Sequence, residues 1–222
     1  MKRIIAVLVT LLLCSTAAFA GTSLRVGGLY GKYNDNFGPL RMDTNGFGGY
    51  VGLTSYLDVL PIGFTGSYSL FMADQYTVTG SLEVEEPETD VHEVKNSTSL
   101  LKAFAGYTLP GFGITLGGGW VSLTCSIEEF DPYTMSGAAI AAFADIPVTP
   151  ALELSAEAFY APKADYNGFD GTGMGAELRG SYAVMPLVGV DVGVSAVKFT
   201  LKDTEGIFVQ DMRAFAGVKL SF

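Results

Sequence analysis

The sequence predicts an all-β fold, an up-and-down antiparallel transmembrane β-barrel of about ten strands, with eight as the alternative count. Three observations carry that expectation. Beyond residue 20 the apolar residues recur with a period of two, as in strands that bury one face. Short proline-bearing turns alternate with longer polar stretches, the connection pattern of a transmembrane barrel. No run after residue 20 reaches the roughly 18 to 20 uninterrupted apolar residues of a spanning helix, because Asp145 and Asp191 break the best candidates.

Residues 1–20 stand apart. Lys2 and Arg3 precede an apolar run from Ile4 to Leu13, and Ala18-Phe19-Ala20 forms a small-x-small cleavage site. This is the pattern of a cleaved secretory signal peptide, leaving 21–222 as a single barrel domain. Cys14 follows the bulky Leu13, which argues against lipidation there. Cleavage leaves Cys125 as the only cysteine, so no intramolecular disulfide forms in an oxidising compartment. The formal charge is −10 over 222 residues, which excludes a nucleic-acid partner on electrostatic grounds. Losing Lys2 and Arg3 makes the mature chain more acidic still.

Along that chain the alternation gives the strands in turn. An opening strand carries Arg25, Tyr30 and Lys32. In the next, Phe47, Val51, Leu53 and Leu57 oppose Gly48, Tyr50, Gly52 and Thr54. Ile62, Phe64, Tyr68, Leu70 and Met72 then oppose Gly63, Thr65, Ser67 and Ser69, and Leu101, Ala103, Ala105, Tyr107 and Leu109 oppose Lys102, Phe104, Gly106 and Thr108. The fifth and sixth strands are the weakest. Gly117-Gly118-Gly119 permits a bulge that would switch the facing of Val121, Leu123 and Cys125, and residues 138–144 are rich in alanine, a poor strand former. Clear alternation resumes with Leu152, Leu154, Ala156, Ala158 and Tyr160, with Met174, Ala176, Leu178 and Tyr182, and with Val188, Val190, Val192 and Val194. The last strand directs Phe208, Met212, Ala214, Ala216, Val218, Leu220 and Phe222 outward.

Short turns fall at 57–61, 109–112, 147–150 and 185–187, and loops at 34–44, 75–95, 128–134, 162–172 and 200–206. A soluble barrel would reverse the faces, with a polar exterior around an apolar interior. Here one face is uniformly apolar and the other reads as too polar to be a core. Aromatics on the apolar parity cluster towards strand ends: Phe64, Tyr107, Phe112, Tyr182 and Phe222 near the turns, Tyr30, Phe47, Trp120, Tyr160 and Phe208 near the loops. That suits two interfacial girdles.

The chain closes on Gly217, Leu220 and Phe222. This spacing resembles the C-terminal assembly signal of bacterial outer-membrane β-barrel proteins; Phe215 stands where that family usually carries a polar residue. In size the chain is similar to the small OmpA-like, OmpX-like and OmpW-like barrels. The resemblance implies insertion by the outer-membrane assembly machinery and residence in the bacterial outer membrane among lipid and lipopolysaccharide. It implies no activity.

The inward parity is expected to collect Arg25, Lys32, Lys102, Arg179, Arg213 and Lys219 against Asp58, Glu153, Glu157, Glu177, Asp191 and Asp211. Buried charges persist when paired, so equal numbers point to a lumen filled by cross-strand ion pairs. Inward glycines leave volume, and a narrow conducting pore is the alternative. The second loop concentrates Glu83, Glu85, Glu86, Glu88, Asp90 and Glu93. A cationic ligand is the candidate partner there, although the spacing matches no calcium loop and no metal site or cofactor is expected.

Asp90 and His92 resemble the Asp-x-His pair of omptin proteases, but the chain shows none of the long strand extensions that carry the rest of an omptin cleft. A loop-tip hydrolase is therefore the third reading, behind a non-enzymatic barrel with a structural or surface-interaction role and behind the pore. Gly171, Gly173 and Gly175 lack the βαβ context of a nucleotide-binding loop and suit a tight lumen face. Cys125 has no neighbour that would activate its thiol.

Overall fold

A computed structural model describes residues 21–38, 40–57, 60–80, 88–92, 95–128, 130–202 and 206–222. The segment 1–20 and Asp58 lie outside the described residues. The described chain is all strand and turn. Ten strands close the barrel: β1 (Ser23–Phe37), β2 (Leu40–Tyr56), β3 (Ile62–Ala73), β6 (Asn96–Leu109), β7 (Ile114–Ile127), β8 (Tyr133–Pro147), β9 (Leu152–Tyr166), β10 (Phe169–Met185), β11 (Val188–Leu201) and β12 (Phe208–Ser221). Each pairs antiparallel with its neighbour in the chain, and β1 closes the ring by pairing with β12 as well as β2. Closure leaves no unpaired edge inside the bilayer, which is the condition for strands to span one.

Two short strands, β4 (Tyr76–Gly80) and β5 (Glu88–His92), complete the set. They form a hairpin within the segment expected to be loop 75–95. β4 pairs with the start of β2, and β5 pairs with β4. The third hairpin of the barrel thus continues past the rim.

Two other expected loops are also largely strand. β1 and β2 run to Phe37 and from Leu40, and β9 and β10 run to Tyr166 and from Phe169, so 34–44 and 162–172 shrink to tight turns. Their polar sequences read as loops because strands that leave the membrane no longer need an apolar outer face. The Asn167-Gly168 pair carries the second turn, with φ of 46° and 90°, the left-handed conformation that a two-residue hairpin turn demands. Strand extension beyond the membrane is therefore present, contrary to the expectation from the sequence.

The facing of side chains follows the expected alternation. Val26, Val51, Leu53, Leu101, Leu178, Val190, Val192 and Val194 are all exposed, forming the apolar belt that only lipid can cover. Of the ten girdle aromatics, all but Phe208 are clearly exposed. Tyr30 and Phe47 meet across β1 and β2 with ring centroids 5.2 Å apart.

The weak fifth and sixth strands are regular. β7 keeps an unbroken register with β6 and β8 through Gly117–Gly119, so Val121, Leu123 and Cys125 face inward. Register shifts lie elsewhere: between Ala183 and Met185 of β10, and in β9, where Ala161 and Ala164 oppose Gly173 and Gly171, which leaves one extra residue around Pro162. Proline has no N–H to give the ladder and is accommodated at such irregularities.

Candidate functional site

Inside the barrel the side chains form three tiers between the short-turn end and the loop end. The first is an ion-pair network. Arg25, at the start of β1, donates to Thr54 Oγ1 (3.0 Å) and Ser155 Oγ (2.6 Å). It also pairs with Asp145 at 3.3 Å, Glu153 at 3.5 Å and Asp191 at 3.6 Å. Lys219 pairs with the same Glu153.

From Asp191 the chain of charges continues to Arg179 at 2.9 Å, then to Glu177. Lys102 bridges Glu177 (2.7 Å) and Glu157 (2.5 Å). Asp191 is saturated: Arg179 Nη1 and the Tyr50 hydroxyl donate to Oδ2, each at 2.9 Å, and Ser181 donates to Oδ1 at 2.7 Å. Period-two geometry explains the continuity, since Glu177 and Arg179 sit two residues apart on one face of β10, with Asp191 on the neighbouring β11 and Lys102 across the lumen on β6. Such pairs persist in a low-dielectric interior because each charge meets an opposite charge and further donors or acceptors.

A separate pair closes the middle. Arg213 clamps Asp211 in the same strand through two hydrogen bonds, 2.6 and 3.0 Å, and reaches Ser69 Oγ at 2.6 Å. Neither side chain of the pair is exposed.

The second tier is apolar, against the expectation of a uniformly polar lumen. Phe71, Leu100, Phe104, Val121, Leu123, Phe159, Val197, Phe199 and Val209 pack into one buried cluster. Phe71, Val121, Leu123 and Val209 have zero exposure. The inward glycines are the reason these rings fit. A Cβ on Gly31 would run into the Phe71 ring, one on Gly173 would lie 2.6 Å from Phe199, and one on Gly175 2.5 Å from Phe159. The volume that glycines leave on β1 and β10 is filled by phenylalanines from other strands.

The third tier lies towards the loops, where Tyr33 and Tyr133 hydroxyls both reach Asp35 Oδ2, at 3.1 and 2.8 Å. Asp35 is fully buried and has no ion pair among the described residues. Cys125 is buried and free, as a structural cysteine.

Of the twelve charged residues expected in the lumen, the described structure brings together ten. Lys32 is not among them. It lies on β1 in unbroken register, seven positions from Arg25 and so on the opposite parity, and its side chain is exposed on the outer face. Asp58 lies outside the described residues. Sequence reasoning missed Asp145 and Asp35. Asp145 shares the parity of Ala141 and Phe143, and Asp35 that of Arg25 and Tyr33, so strict parity counting would have found both. With them, inward acids outnumber bases.

Gly217 stands opposite Gly27 across the β1–β12 seam, and a Cβ there would come within 2.8 Å of the Tyr50 hydroxyl. Leu220 is half-buried, and Phe222 is exposed with its backbone N–H donating to Thr22 O at 2.8 Å. Asp90 and His92 fall on β5, opposite Val78 and Tyr76. Among the described residues no group of His, Cys, Asp or Glu is arranged to hold a metal ion.

No family model matches the sequence, and no curated protein is similar to it. Solved structures are. The outer-membrane protease OmpT from Escherichia coli superposes with a TM-score of 0.63 at 13% identity, over 93% of this chain and 98% of that one. The translocator domain of the autotransporter NalP from Neisseria meningitidis gives 0.49 at 12% identity, over 91% and 89%. Neisserial surface protein A gives 0.42 at 16%, over 90% and 97%. The superposition on OmpT shows the ten-stranded closed barrel to be a bacterial outer-membrane fold, and the apolar belt sets it across the bilayer.

Proposed function

We propose that this chain is a non-enzymatic outer-membrane barrel with a closed lumen, a scaffold that presents its loop end for surface interaction. The observation that supports the reading is the apolar tier. Side chains with no solvent exposure from β3, β7 and β12 meet in the lumen, and ten strands lie near the size at which side chains fill a barrel. The acidic β4–β5 hairpin, standing past the rim, is the surface offered to a cationic partner. OmpT is a protease, but a fold shared at 13% identity brings no chemistry with it, and Asp90 with His92 supplies only one acid–base pair.

A narrow pore is the second reading, favoured by a vestibule of about 200 Å³ at the short-turn end, with Glu153 and Lys219 among its lining residues. Planar-bilayer recording of the refolded mature protein separates the two. Electrical silence from a barrel that is folded by its heat-dependent gel mobility is the expected result. Steady discrete openings, with an ion preference that changes in Glu153→Gln, would replace the scaffold with the pore.

A further inference from the structure

Lys32 is out of place as a lipid-facing residue, and its surroundings say what it meets. On the outer face of β10, β11, β12 and β1 two registered rows run side by side. The row nearer the loops reads Ala176, Ala196, Met212, Lys32; the row beneath it reads Leu178, Val194, Ala214, Tyr30. The three alanines sink the surface between larger neighbours, and the result is a groove of about 520 Å³ lined by these residues, Lys32 included.

One row further out the outer face becomes mixed, with Lys198 and Gln210 in register between the exposed Met174 and the buried Asn34. Lys32 therefore stands at the boundary where apolar chains end and head groups begin. Its side chain is exposed, and its long stem can carry the ammonium to that boundary. Nothing else in the groove is charged on the outer parity: Glu177 and Arg213 come from the inward parity and are engaged in the lumen.

We propose that this groove is a binding site for a lipid of the outer leaflet whose phosphate head carries a net negative charge. An acyl chain lies over Ala176, Ala196 and Ala214, flanked by Tyr30 and Met212, and the phosphate accepts from the Lys32 ammonium. Apolar shape selects a chain, and Lys32, the one outward-facing cation that lines the groove, selects an anionic head, so the site discriminates among lipids by both parts. The assignment concerns the outer wall and is independent of whether the lumen conducts.

The test is native mass spectrometry of the folded protein released from mixed micelles containing phosphatidylglycerol or, with the same acyl chains, phosphatidylcholine. The wild type should retain one phosphatidylglycerol in preference to phosphatidylcholine, by about fivefold for one lysine at an anionic surface. Lys32→Ala should abolish the preference, Ala196→Phe should abolish retention by filling the groove floor, and Lys163→Ala, an exposed lysine away from the groove, should leave both intact. Heat-dependent gel mobility verifies that each variant is folded. Equal retention of the two lipids by the wild type, a preference that survives Lys32→Ala, retention that survives Ala196→Phe, or a lipid-free dimer in place of the adduct would each overturn the assignment.

Discussion

The ring of Phe215 lies 4.2 Å from the guanidinium carbon of Arg179, and the Tyr50 ring faces the same group at 4.5 Å. The two rings meet edge to face, with centroids 4.9 Å apart. This aromatic cradle gives position 215 its role: the residue faces inward and completes the packing around a buried cation. Phe215→Leu keeps most of the volume and removes the ring, and should lower unfolding stability by about 1–2 kcal/mol. Phe215→Ala should cost about 3–5 kcal/mol. Equilibrium unfolding in urea, followed by the fluorescence of Trp120, measures both; equal losses would mean that volume alone matters there.

Asp191 is the node of the charge network, accepting from Arg179, Tyr50 and Ser181. Asp191→Asn preserves shape but removes the carboxylate shared by Arg179 and Arg25 in a buried site, leaving Arg179 with Glu177 as its remaining opposite charge. A loss of about 3–5 kcal/mol is expected, as when one partner of a buried pair is removed. An unchanged urea midpoint would show that solvent already screens these charges.

Gly173 and Phe199 should be energetically coupled. Gly173→Val forces a side chain into the ring and should cost about 1–3 kcal/mol, while Phe199→Ala opens a cavity at about 3–5 kcal/mol. The double variant should lose less than the two single losses together, because each change relieves the other. Additive losses in a double-mutant cycle would contradict the complementary fit.

Cys125 reports on whether water reaches the lumen at the loop end. The residue is 1% exposed, so maleimide labelling of the folded barrel should be on the order of 100-fold or more slower than in urea, set by opening of the structure. Rapid labelling of the folded protein would mean a hydrated lumen and would undermine the closed-scaffold reading.

Deleting Phe222 removes the aromatic end of the proposed Gly217, Leu220, Phe222 assembly signal and one backbone bond to Thr22. Protein lacking it should accumulate unassembled in the periplasm, as seen by cell fractionation and protease sensitivity. Normal levels of heat-resistant, membrane-inserted barrel would separate this spacing from assembly.

Much of this molecule was legible from local chemistry. Strand alternation is a property of neighbouring residues, so the lipid-facing set, the short turns and the count of ten could be read from Phe47 to Phe222 without knowing any contact. Loop limits were less legible: Asn34, Asp35 and Asn36 are polar, and polarity marks departure from the membrane, not departure from the sheet. The Asn167-Gly168 pair is a two-residue turn signal set inside the polar stretch 162–172.

The interior could be read only as a list of residue types. Parity says that Phe71, Gly31, Phe199 and Gly173 point inward; it does not say that each ring lies over the other strand's glycine. Lys32 shows the same limit from outside, since its charge suggested the lumen and one unbroken register put it on lipid. Alternation is set by the bond geometry of a single strand, whereas who meets whom across the lumen depends on barrel closure and stagger, which bring together residues more than a hundred positions apart, such as Arg25 and Asp145.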